Sequence, residues 1–375
     1  MNNIRRILIG LLCCMPFLWG CSNDEPCPTP VRTVLIYMAA DNSLSSFSYK
    51  NLESIVKGSS AAALNGGNLL VYLDASDAAP QLLQIKAKSD GTIQKLAIKD
   101  YPEQNSADPI VMRGVFESVV SEFPAESYGL VLWSHGTAWL PYNVQPMLRS
   151  FGQDETSWME IDELAEAIPD HVFDFILFDA CYMASTEVVY ALRNKADYIL
   201  ASPTEVLAEG FPYKLIMADF FTQQAGLQQI GEKFYTYYDK LTGLNRSASV
   251  SLINTSKLDE LAAVCSEIVK GKEQTIASLP VNELQQLEYL GNTYHALYDL
   301  DDFIGRLATE PQYTNFKKVL DEVVIYKQTT PMATYAKGSI YINRFSGLSI
   351  YVPQAGLEQL NEWYKGMDWY KVTYQ

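Results

Sequence analysis

Two apolar stretches decide how this chain folds: Tyr128-Gly-Leu-Val-Leu-Trp-Ser-His135-Gly136 and Phe173-Asp-Phe-Ile-Leu-Phe-Asp-Ala-Cys181. Each is a near-continuous apolar run, the pattern of a strand covered on both faces within a parallel sheet. Each also ends on a reactive side chain. In open α/β sheets, ligands bind at the carboxyl ends of the strands. A histidine and a cysteine are therefore expected at one sheet edge. An imidazole beside a thiol is the minimal equipment for a cysteine nucleophile.

The flanking sequence supplies the rest of the sheet. Thr33 to Ala40 is a buried-type strand ending at Asp41-Asn42, followed by a polar helix from Ser45 to Lys57 capped by its serines. Asn68 to Asp74 is a second strand. Gln81 to Ile98 alternates around Ser89-Asp90-Gly91-Thr92, a hairpin signal. Asp108-Pro109 opens a helix that runs to about Phe123, with proline in its first turn. Pro141 to Ser157 has little periodicity and is expected to be an exposed loop. Met159 to Ile168 forms a helix stopped by Pro169, and after the Cys181 strand come a helix from Ser185 to Asn194 and the strand Tyr198 to Ser202. Phe211 to Leu241 is helical in pattern, and Ala248 to Asn254 is another strand. Alternation of strand and helix predicts an α/β fold with a mostly parallel central sheet and helices on both faces. A soft boundary is placed near residue 256. Beyond it, residues 257–375 are expected to be mainly helical, with a late hairpin pairing Gly338–Asn343 with Gly347–Val352.

The N-terminus has the form of a targeting segment. Arg5 and Arg6 precede the apolar run Ile7 to Trp19, which is too short to span a bilayer, and Leu18-Trp19-Gly20-Cys21 closes it. This resembles a bacterial lipoprotein signal over residues 1–20, with Cys21 as the lipidated residue, and Trp19 departs from the motif. A plain secretory signal is the alternative. Acyl chains on Cys21 would give stable anchoring. Residues 21–32 are then a tether. Its Ser22-Asn-Asp-Glu25 is either a solvated spacer or an acidic surface-export signal, and Pro26 to Pro30 is stiff. The expected location is the outer membrane of a Gram-negative bacterium, with periplasmic or secreted forms as alternatives.

Composition narrows the function. The net charge is −16, and loss of Arg5 and Arg6 with the signal leaves −18. No Lys/Arg-rich run remains, which argues against nucleic acid as a partner. Outside the signal and Cys21, the cysteines are Cys27, Cys181 and Cys265. That is no disulfide framework. Cys265 shares a helical face with Leu261, Ile268 and Val269, and is read as core, while Cys27 lies in the tether. The chain has three histidines and neither an HExxH nor a CxxC pair, so no metal is assigned. His171 is read as loop and His295 as structural.

A thiol attacks a carbonyl only as the thiolate, which His135 can generate as base. The tetrahedral intermediate needs backbone donors, for which the amides of Gly136 and Cys181 are proposed. No third orienting residue is evident, so the expectation is a His135–Cys181 dyad. Residues two apart on a strand share a face about 6–7 Å apart. If the strand stays regular to its end, Asp179 stands one substrate residue's reach from Cys181 and favours Arg or Lys before the cut bond. Glu205 and Glu209 are further sources of negative charge. Taken alone, a cysteine ending a strand is more often a buried small hydrophobe, and Asp179 alone would cap a turn. Together, two strand ends carrying His-Gly and Asp-Ala-Cys favour a shared catalytic role. His135 also precedes Cys181 by 46 residues, close to the roughly 50-residue spacing found in caspases.

Val34-Leu-Ile-Tyr-Met-Ala-Ala-Asp41-Asn42, Trp133-Ser-His135-Gly136 and Phe178-Asp179-Ala180-Cys181-Tyr-Met together resemble the clostripain family of cysteine peptidases, in the clan of caspases, gingipains and legumains. The likeness runs from about Thr33 to at least Asn254. It implies a caspase-like α/β/α sandwich over residues 33–256, His135 as base, Cys181 as nucleophile and Asp179 in the pocket for a basic residue. Such enzymes are often activated by cutting themselves between the His and Cys strands. The loop Tyr142 to Gly152 holds one basic residue, Arg149, so self-cleavage is expected between Arg149 and Ser150. Some relatives need calcium. No EF-hand loop is visible, and dependence on calcium is left open. The expected partners are peptides with Arg or Lys before the cut bond and, through Cys21, a lipid membrane; a monomer is expected. Two other readings compete: a silent relative binding basic peptides in the same cleft, and a glycan-binding lipoprotein using some of its 45 aromatic residues.

Overall fold

The computed structural model describes residues 29–140, 150–222, 224–288, 295–335 and 338–375. The signal, Cys21, Cys27, most of the tether, and Arg149 lie outside the described residues. The strands are Thr33–Ala40 (β1), Asn68–Ala75 (β2), Ala78–Ala87 (β3), Ile93–Asp100 (β4), Tyr128–Trp133 (β5), Phe151–Asp154 (β6), Ser157–Met159 (β7), Phe173–Asp179 (β8), Ala196–Ala201 (β9), Ser249–Asn254 (β10), Leu297–Asp299 (β11), Val324–Thr329 (β12), Met332–Tyr335 (β13), Gly338–Tyr341 (β14) and Ser349–Tyr351 (β15). Nine of them form one sheet in the order β12-β10-β9-β8-β5-β1-β2-β3-β4. Its centre, β2-β1-β5-β8-β9, is parallel throughout. Antiparallel strands extend both flanks.

Why the central strands are apolar at every position is clear from the packing. Leu35, Tyr37, Leu130, Leu132, Ile176 and Phe178 point into one core. Their sequence neighbours Val34, Ile36, Val131, Trp133, Phe175 and Leu177 point into a second core on the opposite face. Helices Pro109–Glu122, Ile161–Ala167 and Leu258–Val269 cover the first face. Ser45–Gly58, Tyr213–Phe220 and Leu227–Asp239 cover the second. The result is a three-layer α/β/α sandwich, the architecture expected from the strand–helix order. Asp108 accepts from the N–H groups of Ile110 and Val111 and opens its helix as its sequence implied. The β3–β4 hairpin closes through Gly91, whose φ of +83° needs glycine.

Three local expectations are corrected. Within Pro141–Ser157, the described part is not an exposed loop: β6 and β7 pair as a hairpin, with Phe151 fully buried. Strands of three and four residues are too short to carry a readable period. The first helix is not capped by its serines. Leu44 occupies the cap, and Ser45 Oγ instead accepts from Ser76 N–H. The late hairpin does not form as drawn either, because β14 pairs with β13 while β15 pairs with β11.

The chain beyond residue 256 is woven into the same body, since β12 adds to the sheet beside β10. Around β15, Ser349 N–H donates to Ala184 O, Thr186 Oγ to Ser349 O, and Tyr351 N–H to Glu187 Oε1. The C-terminal segment is thereby tied to the helix that follows Cys181. Among the described residues, no helix is long and apolar enough to cross a membrane.

Candidate active site

Register places the two reactive residues side by side. Trp133 of β5 is paired with Asp179 of β8. His135 and Cys181 each lie two residues further on, past the same sheet edge. Ser134 N–H continues the ladder to Asp179 O, and Ser134 Oγ ties back to Ala39 O of β1. Gly136 faces the Cys181 turn so closely that a β-carbon there would stand 2.6 Å from Cys181 O and 3.0 Å from Met183 Sδ. Glycine is what lets the two loops meet.

His135, Asp179, Cys181 and Glu205 line one cleft of about 320 Å³, walled also by Val206, Leu207, Thr334 and Tyr335. The last two belong to β13, so the C-terminal region completes the site. Glu209 does not face this cleft. It lines a neighbouring hollow with Lys50 and Lys214, and its carbonyl accepts from Asn51.

His135 and Cys181 each make their hydrogen bonds to other residues. His135 Nε2 is 2.9 Å from Ser43 Oγ. Burial pushes the imidazole pKa down to about 4, so it is neutral at pH 7. The Cys181 thiol is 3.5 Å from Val206 O and receives Val206 N–H at 3.3 Å. Burial first, then the Glu205 carboxylate, pushes the thiol pKa well up. Thiol and imidazole are thus a neutral pair. Tyr182, directly after Cys181, has a φ of +65°, a conformation that costs a bulky residue on the order of 1–3 kcal/mol. It is held there by Tyr182 N–H donating to Thr204 O and by stacking on Tyr335 at 6.4 Å.

Asp179 is buried at the floor of the cleft. Its Oδ2 accepts from Phe211 N–H at 3.0 Å and from Tyr213 Oη–H at 2.9 Å, which leaves Oδ1 without a hydrogen bond among the described residues. Burial raises its pKa to about 6, against the pull of those two donors. Gly210, at φ +67°, lies over the carboxylate, and a β-carbon there would be 2.5 Å from Oδ2.

The His135 loop is braced by the β6–β7 hairpin. Gly152 N–H donates to His135 O, Thr137 N–H to Ser150 O, and Gln153 N–H to Ser134 Oγ. This ladder leaves the Gly136 N–H outside it. Trp158 packs on the imidazole at 6.0 Å between ring centroids. Ser150 is buried, with its Oγ donating to Glu160. Sequence reasoning missed Ser43, Trp158, Val206, Gly210 and Tyr213. Ser43 was within reach, because β1 runs parallel beside β5 and its following loop must emerge at the same edge. Cys265 is buried in its helix, His171 sits in a turn, and His295 Nδ1 is bonded to Glu288 O. Among the described residues, no group of three or more His, Cys, Asp or Glu side chains is placed to hold a metal ion.

Known proteins share this fold and much of this sequence. The sequence profile of the clostripain family, peptidase family C11, matches residues 36–374. An inactive zymogen C11 protease from Parabacteroides distasonis is 49% identical, with a TM-score of 0.86 over 93% of this chain and 99% of that one. A secreted C11 cysteine protease from Bacteroides thetaiotaomicron, solved with an irreversible peptide inhibitor, is 34% identical, with a TM-score of 0.81 over 92% of this chain and 99% of that one. Clostripain of Hathewaya histolytica is 23% identical over 317 residues, which is 67% of this chain but only 58% of that protein's length. With its His135 and Cys181 strands paired in one sheet and its sequence matched nearly end to end, this chain belongs to the clostripain family.

Proposed function

We propose that this protein is a cysteine endopeptidase that cuts after Arg or Lys. The observation that carries this reading is the paired register of β5 and β8, which brings His135 and Cys181 past one edge above the buried Asp179. A guanidinium or ammonium before the cut bond meets Asp179 Oδ1, while Phe211 and Tyr213 hold Oδ2. Glu205 adds negative charge to the same cleft. His135 takes the thiol proton as Cys181 Sγ attacks the carbonyl carbon. The oxyanion is met by the N–H groups of Gly136 and Cys181. His135 then gives the proton to the leaving amine, and water releases the acyl group from sulfur. The related protein solved with a peptide inhibitor supports this use of the cleft.

The intact chain is a resting form. Its thiol is protonated, bonded to the Val206 backbone and shadowed by Glu205. The relative described as an inactive zymogen fits this picture. Self-cleavage between Arg149 and Ser150 opens the chain just before β6, while the β6–β7 hairpin goes on bracing His135. Acylated Cys21 holds the enzyme on the outer membrane as a monomer. Mass spectrometry of purified residues 22–375 tests the scheme. Wild type should resolve into two chains, the first ending at Arg149, and Cys181→Ala should stay whole. A Cys181→Ala chain that is cut at the same bond would refute self-processing by this dyad.

A further inference from the structure

One buried acid in the sheet has no use in this chemistry. Asp74, near the end of β2, is 1% exposed, and among the described residues neither carboxylate oxygen has a hydrogen-bond partner. An ionised carboxylate left this way is costly. Its side-chain neighbours are the Ser106 hydroxyl, which favours the ionised form, and Asp154, the last residue of β6, itself 7% exposed. Asp154 Oδ2 is already committed to the N–H and Oγ–H of Ser106. Two carboxylates in one buried site do not both ionise, and a single proton between them turns repulsion into an O–H···O bond. Burial, and then Asp154, raise the Asp74 pKa to about 8.

We propose that Asp74 and Asp154 share one proton, and that this bond pins the β6–β7 hairpin, and with it the His135 loop, in the register peptide cleavage requires. The residues on either side of Asp154 carry the link. Gly152 N–H holds His135 O, Gln153 N–H holds Ser134 Oγ, and Glu155 N–H holds Asp41 O. Asn42 Nδ2 holds Gln153 O at 2.7 Å. Asp74 and Asp154 are positioning residues in this scheme. The charged groups beside the pair are acidic: Glu103, in the segment before Asp108, acts on Asp74, and Asp41 after β1, itself next to Glu155 of the hairpin turn, faces Asp154. Tyr37 of β1 and Tyr72 of β2 face it as neutral phenols whose pKa values are raised, chiefly by burial. With the folded pKa raised, the bond is intact below about pH 8, and the fold loses stability as pH climbs from the ordinary carboxylate range towards that value.

The inference rests on the peptidase reading for its kinetic consequence only. The test uses the full chain and Asp74→Asn, whose amide donates permanently to Asp154. Infrared difference spectra at pH 7 should show in wild type a protonated carboxylic acid band, sensitive to D2O, that Asp74→Asn lacks. The wild-type melting temperature should fall more steeply between pH 6 and pH 9 than that of the variant. The alkaline limb of kcat, near pH 8 in wild type, should move up by at least one pH unit in the variant, with KM unmoved. Parallel profiles and identical spectra would overturn the proposal. So would a gain in melting temperature with added calcium that Asp74→Asn abolishes, which would assign the pair to a cation. If the variant does not fold, the wild-type band decides, and its absence at pH 7 is fatal. An inactive chain that keeps the infrared and melting signatures would refute the peptidase reading and leave the shared proton standing.

Discussion

Asp179→Asn separates charge recognition from every other role of the cleft. The amide is nearly isosteric, but its environment dictates how it sits. Phe211 N–H and Tyr213 Oη–H both donate to Oδ2, so the amide oxygen must take that place and its NH2 must face the substrate. An arginine guanidinium then meets a donor where it met a charge. Two unit charges at about 4 Å attract by about 4 kcal/mol at an effective dielectric constant of ~20. Losing one partner of a buried pair costs roughly 2–5 kcal/mol. At 1.36 kcal/mol per factor of ten, kcat/KM for a peptide ending in Arg should fall by about 10²-fold to 10³-fold. A peptide ending in a neutral residue should lose less than about threefold, because His135 and Cys181 are untouched. A pH signature accompanies this. The Asp179 carboxyl titrates near 6, so in wild type the Arg activity should decline below that pH, and the variant should lose this acid limb. Stability moves the other way. Burial makes the ionised carboxylate a cost that sets in as pH rises towards 6, so the variant should melt no lower at pH 8 on electrostatic grounds. The assay is steady-state hydrolysis of matched fluorogenic peptides from pH 5 to pH 8. Equal losses on charged and neutral peptides, or a loss on Arg below threefold, would refute the assignment.

Three further outcomes follow from the same geometry. Glu205→Gln removes a charge that raises the Cys181 pKa, so the rate of thiol alkylation by iodoacetamide at pH 8 should rise about 3–10-fold, with Cys265 unlabelled. Tyr213→Phe removes a donor to Asp179, so the acid limb of the Arg activity should shift to higher pH at a stability cost of ~1 kcal/mol, read from denaturant melts. In Gly136→Ala the new methyl meets the Cys181 carbonyl oxygen and the Met183 sulfur, and peptide hydrolysis should drop at least about 10²-fold while far-ultraviolet circular dichroism is kept.

How far the sequence speaks depends on the range of each signal. The central strands were legible because both faces are covered, which forces apolar residues at every position from Val34 to Ala40 and from Leu130 to Trp133. His135 and Cys181 were legible because strand ends point to a sheet edge. Asp179 lines the same cleft as Cys181, but the two-residue period used to read it does not reach that far, because β8 ends at Asp179 itself. The partners of Asp179 were not legible. Phe211 and Tyr213 reach it across more than thirty residues through a glycine turn, and nothing local announces that contact. Glu209 lines the neighbouring hollow for the same reason: a place just past a strand end does not say which side of the turn a residue faces. The hairpin after Ser150 was hidden by its short strands, and Asp74 by its ordinary place at a strand end. Its meaning emerges only when Asp154 is folded against it.

The central claim is that His135, Cys181 and Asp179 form one peptidase site. The measurement that tests it most directly is hydrolysis of fluorogenic peptides ending in Arg, Lys or Asp by purified residues 22–375, processed and supplied with calcium, beside Cys181→Ala. The account predicts cleavage after Arg and Lys, none after Asp, and none by the variant. Cleavage after Asp would contradict the assignment of Asp179, and no cleavage by a folded, processed sample would contradict the site itself.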